Sequence, residues 1–152
     1  MSKKKRVLFI CVHNSARSQM AEAYLNQLGG ESFSAESAGF DPSPLNPLVI
    51  ETMAEDGLDI SGNRSKSVFD LYKAGQIFDY VVTVCDDGQE GQCPVFPGVT
   101  RRMHVPFVDP AGLTGSHEEK MARVREIRDA IKGTISELIE EWRSDTTKRK
   151  LA

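Results

Sequence analysis

The chain has 152 residues, 39% of them hydrophobic and 27% charged, with a formal net charge of -3. That length suits one domain with a core of its own, and the slight negative charge offers no footprint for nucleic acid. Positive charge therefore has to act at particular places.

Lys3-Lys4-Lys5-Arg6 ahead of the apolar Val7 to Val12 has the outline of an export signal, or of a nuclear or membrane-surface signal. The apolar stretch stops at His13-Asn14-Ser15, too short for export or for crossing a bilayer. It reads as a solvated lead-in to the first strand of a cytoplasmic protein that makes no use of a membrane.

Val7 to Ile10, Phe33 to Ser37, Asp79 to Val84 and Arg101 to Val105 read as strands. The first and third are apolar without alternation, the pattern of parallel strands covered on both faces. Between them, Ser18 to Leu28 places Met20, Ala21, Tyr24, Leu25 and Leu28 at helical spacing and stops at Gly29-Gly30. Asn46-Pro47 caps a second helix over Leu48 to Glu55 that Gly57 ends, and Ser67 to Ala74 is a shorter third. Glu118 to Trp142 repeats Met121, Val124, Ile127, Ile131, Ile135, Leu138 and Trp142 at intervals of three or four, enough to cover one sheet face. Ser144 to Ala152 is expected to fray. No repeat or linker divides the chain, so residues 1–152 read as a single α/β domain: an open, mostly parallel sheet with helices on both faces.

Ligands of such folds bind at the carboxyl ends of the strands, and "CVHNSARS", Cys11 to Ser18, occupies that place after the first strand. Small polar residues let the turn curl so that the amides of Val12, His13, Asn14, Ser15, Ala16, Arg17 and Ser18 converge as a nest. The helix that follows aims its positive end at the same point. A tetrahedral dianion fits there. Cys11 at the floor feels the same field, and cysteines at helix N-termini have pKa values of about 3.5 to 7.5 against about 8.5 free. Arg17 can hold two oxygens of a phosphate-like ion at once, as a lysine cannot. Ser18 is placed to donate to the sulfur, and Asn14 to hold the loop's shape. Taken alone, Cys11 would read as a small core residue at a strand end.

The C-x5-R-S form of this loop resembles the low-molecular-weight protein tyrosine phosphatase superfamily, and the likeness extends through "SAGF" at Ser37 to Phe40 and "DP" at Asp109-Pro110. It implies a four-stranded parallel sheet flanked by helices, Cys11 as nucleophile, Arg17 gripping the oxyanion, Asp109 as general acid and, by family habit, a monomer. An Asp-Pro pair also simply starts turns. The phosphatases of this group follow it with aromatics that clamp a phenol ring; Ala111-Gly112 here suit a smaller substrate.

Cys85 ends the third strand on the same edge as Cys11, and Cys93 follows through Gly88 and Gly91 in a stretch too polar for a core. An odd number of cysteines in a reducing compartment argues against structural disulfides. Cys11, His13, Cys85 and Cys93 could be counted as four metal ligands, but their spacing matches none of the tight pairs of zinc sites, so no metal is expected. The pair Cys85 and Cys93 resembles instead the thioredoxin-coupled arsenate reductases, which share the phosphatase fold. That resemblance implies reduction of arsenate to arsenite. Cys11 attacks arsenic, Cys85 attacks the Cys11 sulfur, and Cys93 moves the disulfide to Cys85-Cys93 for thioredoxin to reduce. Glutaredoxin or a small thiol could supply the electrons instead, and no other cofactor is called for.

A disulfide at the floor of a pocket is hard for a protein reductant to reach, so Asp86 to Gln92 has to rearrange. Some members of this group hold potassium with asparagine, glutamate, serine and aspartate. Asn14, Glu22 and Ser37 are present, but Lys66 stands where the aspartate would be, so no bound potassium is expected. His13 is expected to point to solvent, and His104 and His117 to be structural. Two other readings share the pocket: a phosphatase for phosphomonoesters that uses Cys11, Arg17 and Asp109, and a non-catalytic oxyanion or redox sensor.

Overall fold

Every residue from Val7 to Cys11 is buried, as a strand covered on both sides must be. In the computed structural model, which describes residues 4–86, 96, 98, 99 and 101–151, with side chains in the last helix up to 144, this strand is β1 (Lys5–Cys11). It lies inside a sheet with β2 (Phe33–Gly39), β3 (Tyr80–Thr83) and β4 (Arg101–His104), all parallel, in the order β2-β1-β3-β4. The helices are α1 (Arg17–Gly29), α2 (Pro47–Glu55), α3 (Val68–Lys73) and α4 (His117–Leu151).

Alternate residues of β1 serve the two faces. Val7, Phe9 and Cys11 join Met20, Tyr24 and Leu25 of α1, Val49 and Met53 of α2 and the Val124 to Trp142 stripe of α4. Leu8 and Ile10 join Val68 of α3, Phe78, Val81 and Phe96 on the other face. Burial of an aliphatic or phenyl side chain of this kind stabilises by about 1.5–3 kcal/mol each. All seven apolar positions of the α4 stripe, Met121 to Trp142, are buried.

The order β2-β1-β3 means that the chain leaves β1 in one direction and later returns to its other side. The crevice outside the carboxyl ends of β1 and β3 is therefore the topological switch point, where open α/β sheets bind their ligands. In register, Cys11 stands beside Gly39, and Ile10 stands beside Thr83.

Local signals position the helices. Asn46 Oδ1 accepts the Leu48 N-H at 2.9 Å to start α2, and Ser67 Oγ accepts the Phe69 N-H at 3.2 Å to start α3. Gly57 takes φ +79 just beyond the end of α2. Two expectations are corrected. Ser144 to Ala152 does not fray at Ser144, because α4 continues to Leu151; once a long helix is nucleated by packing, each added residue gains one more backbone hydrogen bond. The third strand is shorter than Asp79 to Val84, although both ends stay tied to β1 through Asp79 N-H to Arg6 O and Val84 N-H to Ile10 O, each 2.8 Å. Among the described residues no helix is long and apolar enough to cross a membrane.

Candidate active site

The loop from Cys11 to Arg17 is shaped from outside. The carbonyls of Cys11, Val12, His13 and Ser15 accept the N-H groups of Phe40, Asp41, Ser43 and Asn46 at 2.7–3.3 Å. With these acceptors engaged outward, the Asn14 N-H faces inward and reaches Cys11 Sγ at 3.2 Å. Asn14 takes φ 51, a left-handed conformation that asparagine tolerates better than most residues.

The Asn14 side chain ties the loop in three directions. Its Nδ2 donates to Ser18 Oγ at 2.8 Å, and its Oδ1 accepts the Lys66 N-H at 2.8 Å and Gln19 Nε2 at 3.2 Å. Asn14 and Ser18 were both singled out from sequence for these tasks. Ser18 Oγ lies 2.9 Å from Cys11 Sγ, and Cys11 is buried, 2% exposed. Unlike α2 and α3, α1 begins after Ala16 with no side-chain cap, which leaves its first amides for a ligand at the sulfur.

Arg17 is almost wholly enclosed, its side chain 4% exposed. Nη1 faces Asp86 Oδ1 at 3.2 Å and the Phe107 carbonyl at 3.4 Å, and Nη2 faces Asp109 Oδ2 at 3.5 Å. Asp109 thus reaches the site from the loop after β4. It also starts a turn, since its Oδ1 accepts the Ala111 N-H at 2.9 Å.

Cys85 is fully buried two residues beyond β3, in the same core cluster as Cys11, and both are thiols. If the two strands were continued ideally, at about 4.8 Å spacing and about 3.3 Å rise per residue, alpha carbons so offset would lie roughly 6 Å apart, inside the range a disulfide spans. Cys93 and residues 87–92, on which the rest of the relay was expected to depend, lie outside the described residues.

Several supports were not legible beforehand. Gly39 is dictated by space: a Cβ there would sit 2.6 Å from Val12 O and 2.7 Å from Asn14 N. Gln19, fully buried, donates to Asn14 O and to Arg64 O, and the Ser65 hydroxyl donates to Asn14 O at 3.0 Å and to Ser43 O. Asp86 is the fourth. The one signal for Gly39 was its place in "SAGF"; the others carry no local pattern.

Behind the loop, Ser37 Oγ donates to Glu22 Oε1 at 3.1 Å and Lys66 Nζ stands 3.7 Å from the same oxygen. Burial pushes the Glu22 carboxyl above its usual range, opposed by the Lys66 charge and the Ser37 hydrogen bond. His13 is half exposed, with Nδ1 2.9 Å from Asp41 O and 3.2 Å from Ser43 Oγ. His104 meets Thr83 Oγ1 at 2.8 Å, and His117 meets Glu51 at 3.2 Å.

A family model described as low molecular weight phosphotyrosine protein phosphatase matches residues 6–148. An arsenate reductase of Bacillus subtilis (strain 168) is 38% identical over 136 residues, 90% of this chain and 96% of that protein. Among solved structures, an arsenate reductase in the phosphate binding state is 30% identical, with TM-score 0.71 over 90% of this chain and 98% of that one. A thioredoxin-dependent arsenate reductase of Corynebacterium glutamicum is 33% identical, with TM-score 0.63 over 97% of this chain and 64% of that one. With its parallel sheet and a buried cysteine in the loop after β1, the chain belongs to the low molecular weight phosphotyrosine protein phosphatase family, and the relatives it matches here are named arsenate reductases.

Proposed function

We propose that the chain reduces arsenate to arsenite with electrons from its own thiols. The observation that carries this reading is the juxtaposition of two buried thiols, Cys11 in the anion nest and Cys85 just beyond the neighbouring strand. A phosphatase needs only the first. Support also comes from the relatives, named arsenate reductases, one of them thioredoxin-dependent and one solved with phosphate.

In the first step the Cys11 sulfur forms a bond to arsenic(V), and an arsenic oxygen leaves as water after taking a proton from Asp109. Arg17 and the loop amides stabilise the charge on the remaining oxygens. The Cys85 sulfur then attacks the Cys11 sulfur. The sulfur-arsenic bond breaks, its electron pair stays on arsenic, and arsenite departs as arsenic(III). Two thiols have become one Cys11-Cys85 disulfide, which accounts for both electrons. Cys93 attacks Cys85, frees Cys11 and leaves a Cys85-Cys93 disulfide for thioredoxin. No resident metal or cofactor enters the scheme, and the reducing cytoplasm supplies the electrons.

The test is a steady-state assay of arsenate-dependent NADPH oxidation through thioredoxin and its reductase, run with the parent, Cys85→Ser and Cys93→Ser. The parent turns over and both variants stall. After one turnover, mass spectrometry finds Cys11-Cys85 trapped in Cys93→Ser. Normal turnover by both variants would sink the relay. Hydrolysis of an aryl phosphate does not discriminate, because a phosphatase would use the same pocket.

A further inference from the structure

The guanidinium of Arg17 is already met by two carboxylates from the segments after β3 and β4, Asp86 on Nη1 at 3.2 Å and Asp109 on Nη2 at 3.5 Å. A tetrahedral oxyanion gripped by a fork of two N-H groups needs those same directions. Two carboxylates and a dianion cannot all share one guanidinium without like-charge repulsion. One carboxylate has to yield.

Their surroundings differ. Asp109 is 37% exposed and fixed by the Ala111 N-H in its turn. Asp86 is 65% exposed, and Arg17 is its partner among the described residues. An exposed carboxylate that leaves its partner is taken up by water at little cost. Asp86 also follows Cys85 directly, in the chain between the second thiol and the third.

We infer that Asp86 is a positioning residue that competes with the substrate oxyanion for Arg17, so that oxyanion binding releases the backbone next to Cys85. This rests on the oxyanion pocket of the proposed function. The consequence is an order of events: the anion takes Nη1 first, and the segment carrying the second thiol is untied only when there is a reason for it to react.

The experiment titrates inorganic phosphate calorimetrically into the reduced protein at about 0.15 M salt, where exposed charges more than about 8 Å apart are largely screened. Parent, Asp86→Asn, Asp86→Glu and Asp41→Asn are compared. Asp41→Asn removes the same charge from a side chain 81% exposed near the loop. Losing an exposed competitor of this kind tightens phosphate binding by roughly two- to fivefold in Asp86→Asn. Asp86→Glu stays close to the parent, and Asp41→Asn changes little. The KM for arsenate falls in Asp86→Asn by the same factor as the Kd for phosphate.

Unchanged or weaker phosphate binding in Asp86→Asn overturns the inference while leaving the pocket intact. Equal tightening in Asp41→Asn overturns it too, since the effect would then be net charge alone. A parent with no phosphate affinity removes the pocket itself, and the proposed function with it.

Discussion

Replacing Gly39 with alanine tests whether the anion loop is held by close contact with β2. The added carbon would lie 2.6 Å from Val12 O and 2.7 Å from Asn14 N, whereas ordinary contact begins at 3.4 Å. Both neighbours are backbone, so no rotamer change relieves the overlap, and the loop has to retreat by about 0.7 Å at Asn14. The Asn14 N-H is the donor that meets Cys11 Sγ, so the retreat acts directly on the reacting sulfur. Overpacking of this size costs about 1–3 kcal/mol. For a chain of this length that is a fall in melting temperature of roughly 3–10 °C. Because a misplacement near 1 Å costs about 100-fold in rate, kcat/KM for arsenate falls by roughly tenfold or more. Thermal unfolding followed by the fluorescence of the buried Trp142, together with the reductase assay, measures both. A variant that melts within a degree of the parent and turns over normally would refute the contact argument.

Arg17→Lys keeps the charge and loses the fork, so kcat/KM for arsenate drops by about 100- to 1,000-fold, as for loss of one oxyanion donor, while the melting temperature moves little. Ile131→Ala empties a fully buried position between α4 and the sheet and lowers the unfolding free energy by about 2–5 kcal/mol in urea, with activity per folded molecule retained. Glu22, whose folded pKa is raised by burial, binds its proton more tightly folded than unfolded. Its contribution is therefore favourable below the ordinary value of 4.5 and is lost as pH rises through the folded value. Lys66→Met removes the opposing charge and raises the carboxyl further, so the urea midpoint falls more steeply than in the parent as pH rises above 4.5. Parallel pH profiles for the two proteins would count against it.

The parts of the site legible in the sequence are those whose signal is local. Cys11, Asn14, Arg17 and Ser18 lie within eight consecutive residues that join a strand to a helix, and the apolar run of Val7 to Ile10 marks where that strand ends. The α4 stripe is legible for the same reason, since 3.6-residue periodicity needs only its own helix. The supports were not legible because each acts on the loop from a distant part of the chain. Ser65 reaches Asn14 O across 51 residues and Asp86 reaches Arg17 across 69, and neither serine nor aspartate advertises such a partner. Gly39 is a different case: the residue was noticed, but its reason is the register that sets it beside Cys11, which only pairing reveals.

Strand order is the step on which the second thiol depends. The sequence places Cys11 and Cys85 on one edge of a parallel sheet, but an edge is several strands wide. Had β2 lain between β1 and β3, their alpha carbons would have been at least two strand spacings apart, about 9.6 Å, beyond the roughly 6.8 Å that a disulfide spans between alpha carbons. With the order β2-β1-β3-β4 the two are neighbours. The connection from β2 that crosses back past β1 to β3 therefore does two things at once. It opens the crevice in which an oxyanion can meet Cys11, and it brings the next strand's cysteine to that crevice from the far side. Under the proposed relay, a fold with the same loop but the other order could bind the anion and form the bond from sulfur to arsenic, yet would have no second sulfur on the neighbouring strand to collect the electrons.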